Sequence, residues 1–71
     1  MQRVQVNSSN IISMFYDKQS AILEVEFSSG SIYQYFDVPE HLYNELMQAS
    51  SLGGFLNDNL VKYHYRYIKI K

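Results

Sequence analysis

The stretch from Leu23 to Tyr35 constrains the fold more than any other. Leu23, Val25 and Phe27 alternate with Glu24 and Glu26, and Tyr33 and Tyr35 alternate with Ile32, Gln34 and Phe36. Period-two patterning marks strands with one dry and one wet face. Between the two runs stands Ser28-Ser29-Gly30, which predicts a three-residue hairpin connection: a type I turn closed by a left-handed residue, a conformation glycine adopts cheaply. This loop length sets Phe27 opposite Ser31, Val25 opposite Tyr33 and Leu23 opposite Tyr35. Both tyrosines then share the core face. A two-residue loop would slip the register by one and move them beside the glutamates.

Around this hairpin the other elements fall into place. Ile11 to Asp17 is apolar and aromatic and reads as a strand, Asp17-Lys18-Gln19-Ser20 as a turn, and Ala21 to Phe27 as the next strand. Residues ahead of Ile11 are a polar lead-in with weak pairing through Val4 and Val6. Val38-Pro39-Glu40 predicts a helix start, with proline at the first helical position, an acid in the first turn and Asp37 for capping. Leu42, Tyr43, Leu46, Met47 and Ala49 then recur at helical spacing to about Ser50. Ser51 is the natural cap of a second, shorter helix with Leu52, Phe55, Leu56 and Leu60 as its buried stripe. From Tyr63 the chain returns to period two, with Tyr63, Tyr65 and Tyr67 pointing one way and His64, Arg66 and Ile68 the other. The expected architecture is α+β, a single domain over residues 1–71: a three-stranded antiparallel meander, two short helices on one face, and a candidate fourth strand at the C-terminus.

Seventy-one residues bury only about 60% of the surface that the unfolded chain exposes. Such domains lean on disulfides, metals or partner subunits. With no cysteine and two histidines, disulfides, thiolate sites and cysteine nucleophiles are excluded and a structural zinc is not expected. Seven tyrosines and four phenylalanines supply the packing instead. No apolar run is long enough to span a bilayer, and the expected location is the cytoplasm, whose reducing conditions suit a chain without cysteine. Charge is unevenly distributed. Residues 1–61 carry seven acids against Arg3 and Lys18, giving −5, whereas residues 62–71 carry Lys62, Arg66, Lys69 and Lys71 with no acid, giving +4.

Several segments, in order, carry a resemblance: Val6 to Ile11, Tyr16-Asp17, Leu23 to Phe27 with Ser29-Gly30, Tyr33-Gln34-Tyr35, Val38-Pro39, Ala49-Ser50, Leu52-Gly53, Phe55-Leu56-Asn57, Val61-Lys62, and Tyr65 with Tyr67. In this order and spacing the chain resembles the KTSC domain family, small domains that stand alone or occur at the C-terminus of some lysyl-tRNA synthetases. The resemblance implies an α+β fold, no established enzymatic activity and, through the synthetase, an association with RNA. In the family a glycine usually follows the lysine and a proline separates the last two tyrosines; here Tyr63 and Arg66 stand at those positions.

No catalytic constellation is legible. No serine sits in a Gly-x-Ser-x-Gly elbow, and neither His41 nor His64 has a patterned acid partner. Glu24 and Glu26, two apart on one strand face, have the spacing of an acid/base or metal pair but no further ligand, and an ordinary wet sheet face explains them. Gly53-Gly54 lacks the Lys-Ser/Thr of a phosphate loop and is read as a tight turn. Asn57, on the helix face opposite Leu52 and Leu56, is either a ligand-contacting amide or a structural one, the structural use being favoured. The chain is therefore expected to be a non-enzymatic interaction module with no cofactor, metal or membrane partner. Two surfaces are candidates. Ile32, Gln34 and Phe36, sharing the sheet's outer face with the two glutamates, would bind a protein or a second copy. The tail, through Lys62, His64, Tyr65, Arg66, Tyr67, Lys69 and Lys71, would bind RNA by charge neutralisation and base stacking.

Overall fold

The computed structural model describes residues 3–6, 8 and 10–71. Its sheet has five antiparallel strands in chain order: β1 (Val4–Gln5), β2 (Ile11–Asp17), β3 (Ile22–Phe27), β4 (Ile32–Tyr35) and β5 (Tyr67–Lys69). Two helices, α1 (Glu40–Met47) and α2 (Leu52–Leu56), are joined in the chain between β4 and β5, and α2 runs on into a π-helical turn over Asn57–Val61.

The central hairpin has the predicted register, Leu23 opposite Tyr35 and Val25 opposite Tyr33. The Phe27 amide donates to the Ser31 carbonyl at 2.9 Å, and Gly30 lies at φ 95°, closing the turn as a left-handed residue. Alternation then sorts the sheet. Met14, Tyr16, Leu23, Val25 and Tyr35 are buried on one face and cluster with Val38, Tyr43 and Leu46, and with Leu56 and Leu60 from α2 and the π turn. A bulge between Ile11 and Ser13 lets both residues be buried while Ile12 turns out.

Tyr16 joins the layers. Its ring stacks on Tyr43 of α1 with centroids 4.7 Å apart, and its hydroxyl donates to the Val38 carbonyl at 2.6 Å. The Val38 amide in turn donates to Ala21. The connection from β4 to α1 is thereby tied to the β2–β3 hairpin at both polar groups of one buried residue.

The expectation of three strands with a candidate fourth understates the sheet. The tail strand forms, pairing Gln34 with Ile68, and Val4–Gln5 adds a fifth strand against Met14 and Ser13. The weak pairing expected through Val4 and Val6 is thus a short strand, with the Val6 amide also donating to the Ile12 carbonyl. The tail is also not one continuous strand. His64, at φ 61°, ends the π turn in the left-handed region, and its amide and that of Tyr65 close back on Val61 and Leu60. Tyr63 therefore belongs to a turn, outside the face shared by Tyr65 and Tyr67.

Helix starts divide in the same way. Ser51 caps α2 as expected, its hydroxyl accepting from the Gly54 amide at 3.2 Å. At α1, Pro39 is the cap itself and Glu40 the first helical residue, one position later than the sequence suggests. Asp37 does not cap: it sits at φ 60° and pairs with Arg66 at 3.5 Å.

An aromatic cleft as candidate functional site

Where β5 runs beside β4, the core face is not fully covered by the helices. A cleft of about 980 Å³ opens there, at the upper end of the range of about 300–1,000 Å³ typical of small-ligand sites. Its sheet side consists of Phe27, Tyr33, Tyr35 and Tyr67; its helical side consists of Gly53, Leu56, Asn57 and Val61. His64, Tyr65 and Arg66 form one end, and Asn10 with Ser28, Ser29 and Ser31 the rim.

The rings form a continuous layer. Phe27 meets Tyr33 edge-on at 5.5 Å, Tyr33 and Tyr35 lie near-parallel at 6.4 Å, and Tyr67 tilts over both at 5.6 and 5.8 Å. These are the offset and edge geometries that aromatic quadrupoles favour. Register explains the grouping: Tyr67 is directly opposite Tyr35 across β4–β5, and alternation keeps Tyr33 on the same face. Tyr67 is nevertheless 57% exposed, so its ring is supported by its neighbours and open toward solvent. Burial raises the pKa of the Tyr35 phenol above its ordinary value, and the phenols of Tyr33 and Tyr67 beside it push the same way.

None of the chain's seven acids lines the cleft. Glu24 and Glu26 lie on the opposite face, where Arg3 pairs with Glu24 and donates to the Ser13 hydroxyl at 2.7 Å. Ser13 passes a hydrogen bond on to Glu26 at 2.9 Å, and the Gln34 amide donates to Glu24 at 3.0 Å. The paired glutamates are thus members of a cross-strand polar network. Among the described residues, no group of three or more His, Asp or Glu side chains converges as a metal site would require.

The structure divides the candidate residues of the tail. His64, Tyr65, Arg66 and Tyr67 line the cleft, whereas Lys62, Lys69 and Lys71 lie outside its lining. Arg66 reaches the cleft with part of its chain while its guanidinium rests 5.3 Å over the Phe36 ring and pairs with Asp37. On the outer face Ile32, Gln34 and Phe36 lie together as expected, each half-buried, with Gln34 held by Glu24 and Phe36 covered by Arg66. The large apolar side chains most open on that side belong to β5 and its extension, Ile68 and Ile70, each about half exposed.

Asn57 lines the cleft and is exposed; its backbone is bonded within the helical turn, and its side-chain amide makes no hydrogen bond to a described residue. A π turn, a feature common at functional sites, begins there; its Leu60 is buried in the core while Asn57 and Val61 line the cleft. Phe27, Tyr33, Asn10 and the three serines were not singled out as site residues from the sequence, because the hairpin pattern accounts for Phe27, Tyr33 and the serines as core and turn, and Asn10 falls in the polar lead-in.

Comparison with known proteins places the chain. Residues 7–70 match the family model of the KTSC domain. An uncharacterized protein of Stutzerimonas stutzeri is 46% identical over 70 residues, 99% of each chain. The crystal structure of a KTSC domain protein from Yersinia pestis superposes with a TM-score of 0.88 at 38% identity, covering 99% of this chain and 97% of that one. A lysine–tRNA ligase of Nostoc punctiforme is 39% identical over 49 residues, which are 68% of this chain and 9% of the ligase. With a family match spanning nearly the whole sequence and a full-length structural counterpart, the chain belongs to the KTSC domain family.

Proposed function

We propose that the chain is a non-enzymatic RNA-binding module of the cytoplasm that holds unpaired bases in the aromatic cleft. The observation that carries this reading is the juxtaposition of a tyrosine layer whose outer ring, Tyr67, is open to solvent with a lining free of acid. Bases stack on aromatic faces with little regard to sequence, each contact contributing about 1–3 kcal/mol. Polar groups surround that layer: the Asn57 and Asn10 amides and the serine hydroxyls suit the hydrogen-bonding edges of a base. The carboxylates that would repel a polyanion sit elsewhere, and Lys62, just after the π turn, and Lys69, across from Tyr33, are placed for flanking phosphates. Kinship with a segment of a lysine–tRNA ligase, a protein that by its name acts on tRNA, supports RNA as the polymer.

Protein binding through Ile32, Gln34 and Phe36 has less to offer, since all three are half-buried and two are engaged by neighbours. Titration of a short unstructured RNA against the protein at several salt concentrations tests the proposal. At most four tail cations act on a single strand, so log K should fall against log salt with a slope no steeper than about −3. Lys62→Ala should flatten the slope by roughly 0.7, while Tyr67→Ala should weaken binding and keep the slope. Absence of binding at low salt would reject it.

A further inference from the structure

β5 closes one end of the sheet, with no strand beyond it among the described residues. Its bonding pattern is defined on the inner side: the Phe36 amide donates to the Arg66 carbonyl and the Ile70 amide to the Ile32 carbonyl, and at the end of the ladder the Ile32 amide donates to the Lys71 carbonyl, so Arg66, Ile68 and Ile70 occupy the positions bonded to β4. In an antiparallel pair the residues between bond outward. The amides and carbonyls of Tyr67 and Lys69 therefore point away from the sheet, and no described residue bonds them. The side chains of this edge alternate too. Ile68 and Ile70, 51% and 49% exposed, lie on the outer face, while Tyr67 and Lys69 lie on the other.

We propose that the β5 edge receives an acidic extended segment of a partner protein as a sixth strand. Charge identifies the occupant. Residues 62–71 hold four cations and no acid, and Asp37, beside them in space, is already paired with Arg66. A second copy aligning its own β5 here would bring Lys69 and Lys71 against Lys69 and Lys71, which like-charge repulsion opposes, as lysines on edge strands generally do. An acidic strand meets the opposite sign. The alternation sets its pattern: apolar residues beside Ile68 and Ile70 on the outer face, carboxylates beside Lys69 on the other. This edge shares only Lys69, a flanking cation, with the RNA proposal; Lys69, Ile68 and Ile70 do not line the cleft, so the peptide and the bases meet different surfaces.

The test uses the isotope-labelled full chain and a capped peptide of four Val-Glu repeats, with a Val-Lys peptide as control. The Val-Glu peptide should shift the Tyr67 and Lys69 amides and slow their hydrogen exchange, and the control should do neither. Lys69→Pro removes an outward donor and no bond within the sheet, so it should keep the fold and weaken the peptide by about tenfold or more, the effect of one lost hydrogen bond at a tight contact. A Val-Glu peptide N-methylated along its bonding edge should fail equally on the unaltered chain, giving the same answer without relying on the variant's folding. Equal binding of the Val-Lys peptide, full binding by the methylated one, or no amide response at millimolar peptide would each overturn the proposal. So would a sedimenting dimer that protects these same two amides, which would assign the edge to a second copy.

Discussion

Tyrosine serves two purposes in this molecule, and comparing the two regions shows what separates them. At the β2–α1 contact, Tyr16 and Tyr43 stack face to face at 4.7 Å and both are buried. The Tyr16 hydroxyl is committed to Val38. At the β4–β5 contact, Tyr33, Tyr35 and Tyr67 lean on one another at similar spacings, yet Tyr67 stays more than half exposed. In the first region α1 closes the layer. In the second α2 is short, and although Leu56 and Leu60 reach the core, the Tyr67 ring is left more than half exposed. Ring surface held in place but left uncovered is what a stacking ligand requires.

The contrast is sharpest under truncation. Tyr16→Ala should lower unfolding free energy by about 3–5 kcal/mol, and Tyr35→Ala, whose ring is also buried, by a similar amount. Tyr67→Ala should cost no more than about 1 kcal/mol, the worth of its aromatic contacts. Urea midpoints measure all three, and a Tyr67 variant as unstable as the Tyr16 one would erase the distinction between the regions.

Alkaline pH probes the same division. Burial raises the pKa values of Tyr16, Tyr35 and Tyr43 above 10.0, with the nearby acids Glu40 and Asp17 adding to the effect at Tyr16. The folded chain therefore holds these phenols neutral more strongly than the unfolded chain does. The stability this contributes is complete below pH 10 and is lost as pH rises from there through the folded values. Urea midpoints should accordingly be flat up to about pH 10 and fall above it, and Tyr35→Phe should soften the fall.

In binding the order reverses. Tyr67→Ala should weaken RNA by about 1–3 kcal/mol, with the salt slope retained. The smallest effect concerns His64. A non-glycine residue in the left-handed region is strained by about 1 kcal/mol, so His64→Gly should stabilise the fold by roughly that amount. If this imidazole contributes to the cleft it lines, the stabilised variant should bind RNA less well; unchanged affinity would leave His64 as a turn residue only.

Legibility in the sequence follows from how local each cause is. The β3–β4 register was readable because three residues, Ser28-Ser29-Gly30, determine it, and the Ser51 cap because it acts over three positions. The cap at Asp37 misled: its side chain goes to Arg66, 29 positions away, a partner no local pattern announces. Strand β1 was legible only as weak pairing through Val4 and Val6, because two residues carry little pattern, and the end of the π turn was hidden by the absence of glycine, since His64 carries the left-handed conformation. The cleft was legible only in part. His64, Tyr65, Arg66 and Tyr67 stood out as a basic aromatic run and Asn57 as an amide with two readings, but Asn10, Phe27 and Tyr33 reach the cleft from the lead-in, β3 and β4. The pairing of β5 with β4 brings the tail residues to them.

The most direct measurement of the central claim is residue-resolved mapping of RNA on the full chain by amide and aromatic chemical shifts. Stacking in the cleft predicts the largest changes at Tyr33, Tyr65, Tyr67 and Asn57, with Phe15, Ile32 and Gln34 on the outer face unmoved. Changes centred on the outer face, or confined to Lys62, Lys69 and Lys71 with the tyrosine rings silent, would contradict it.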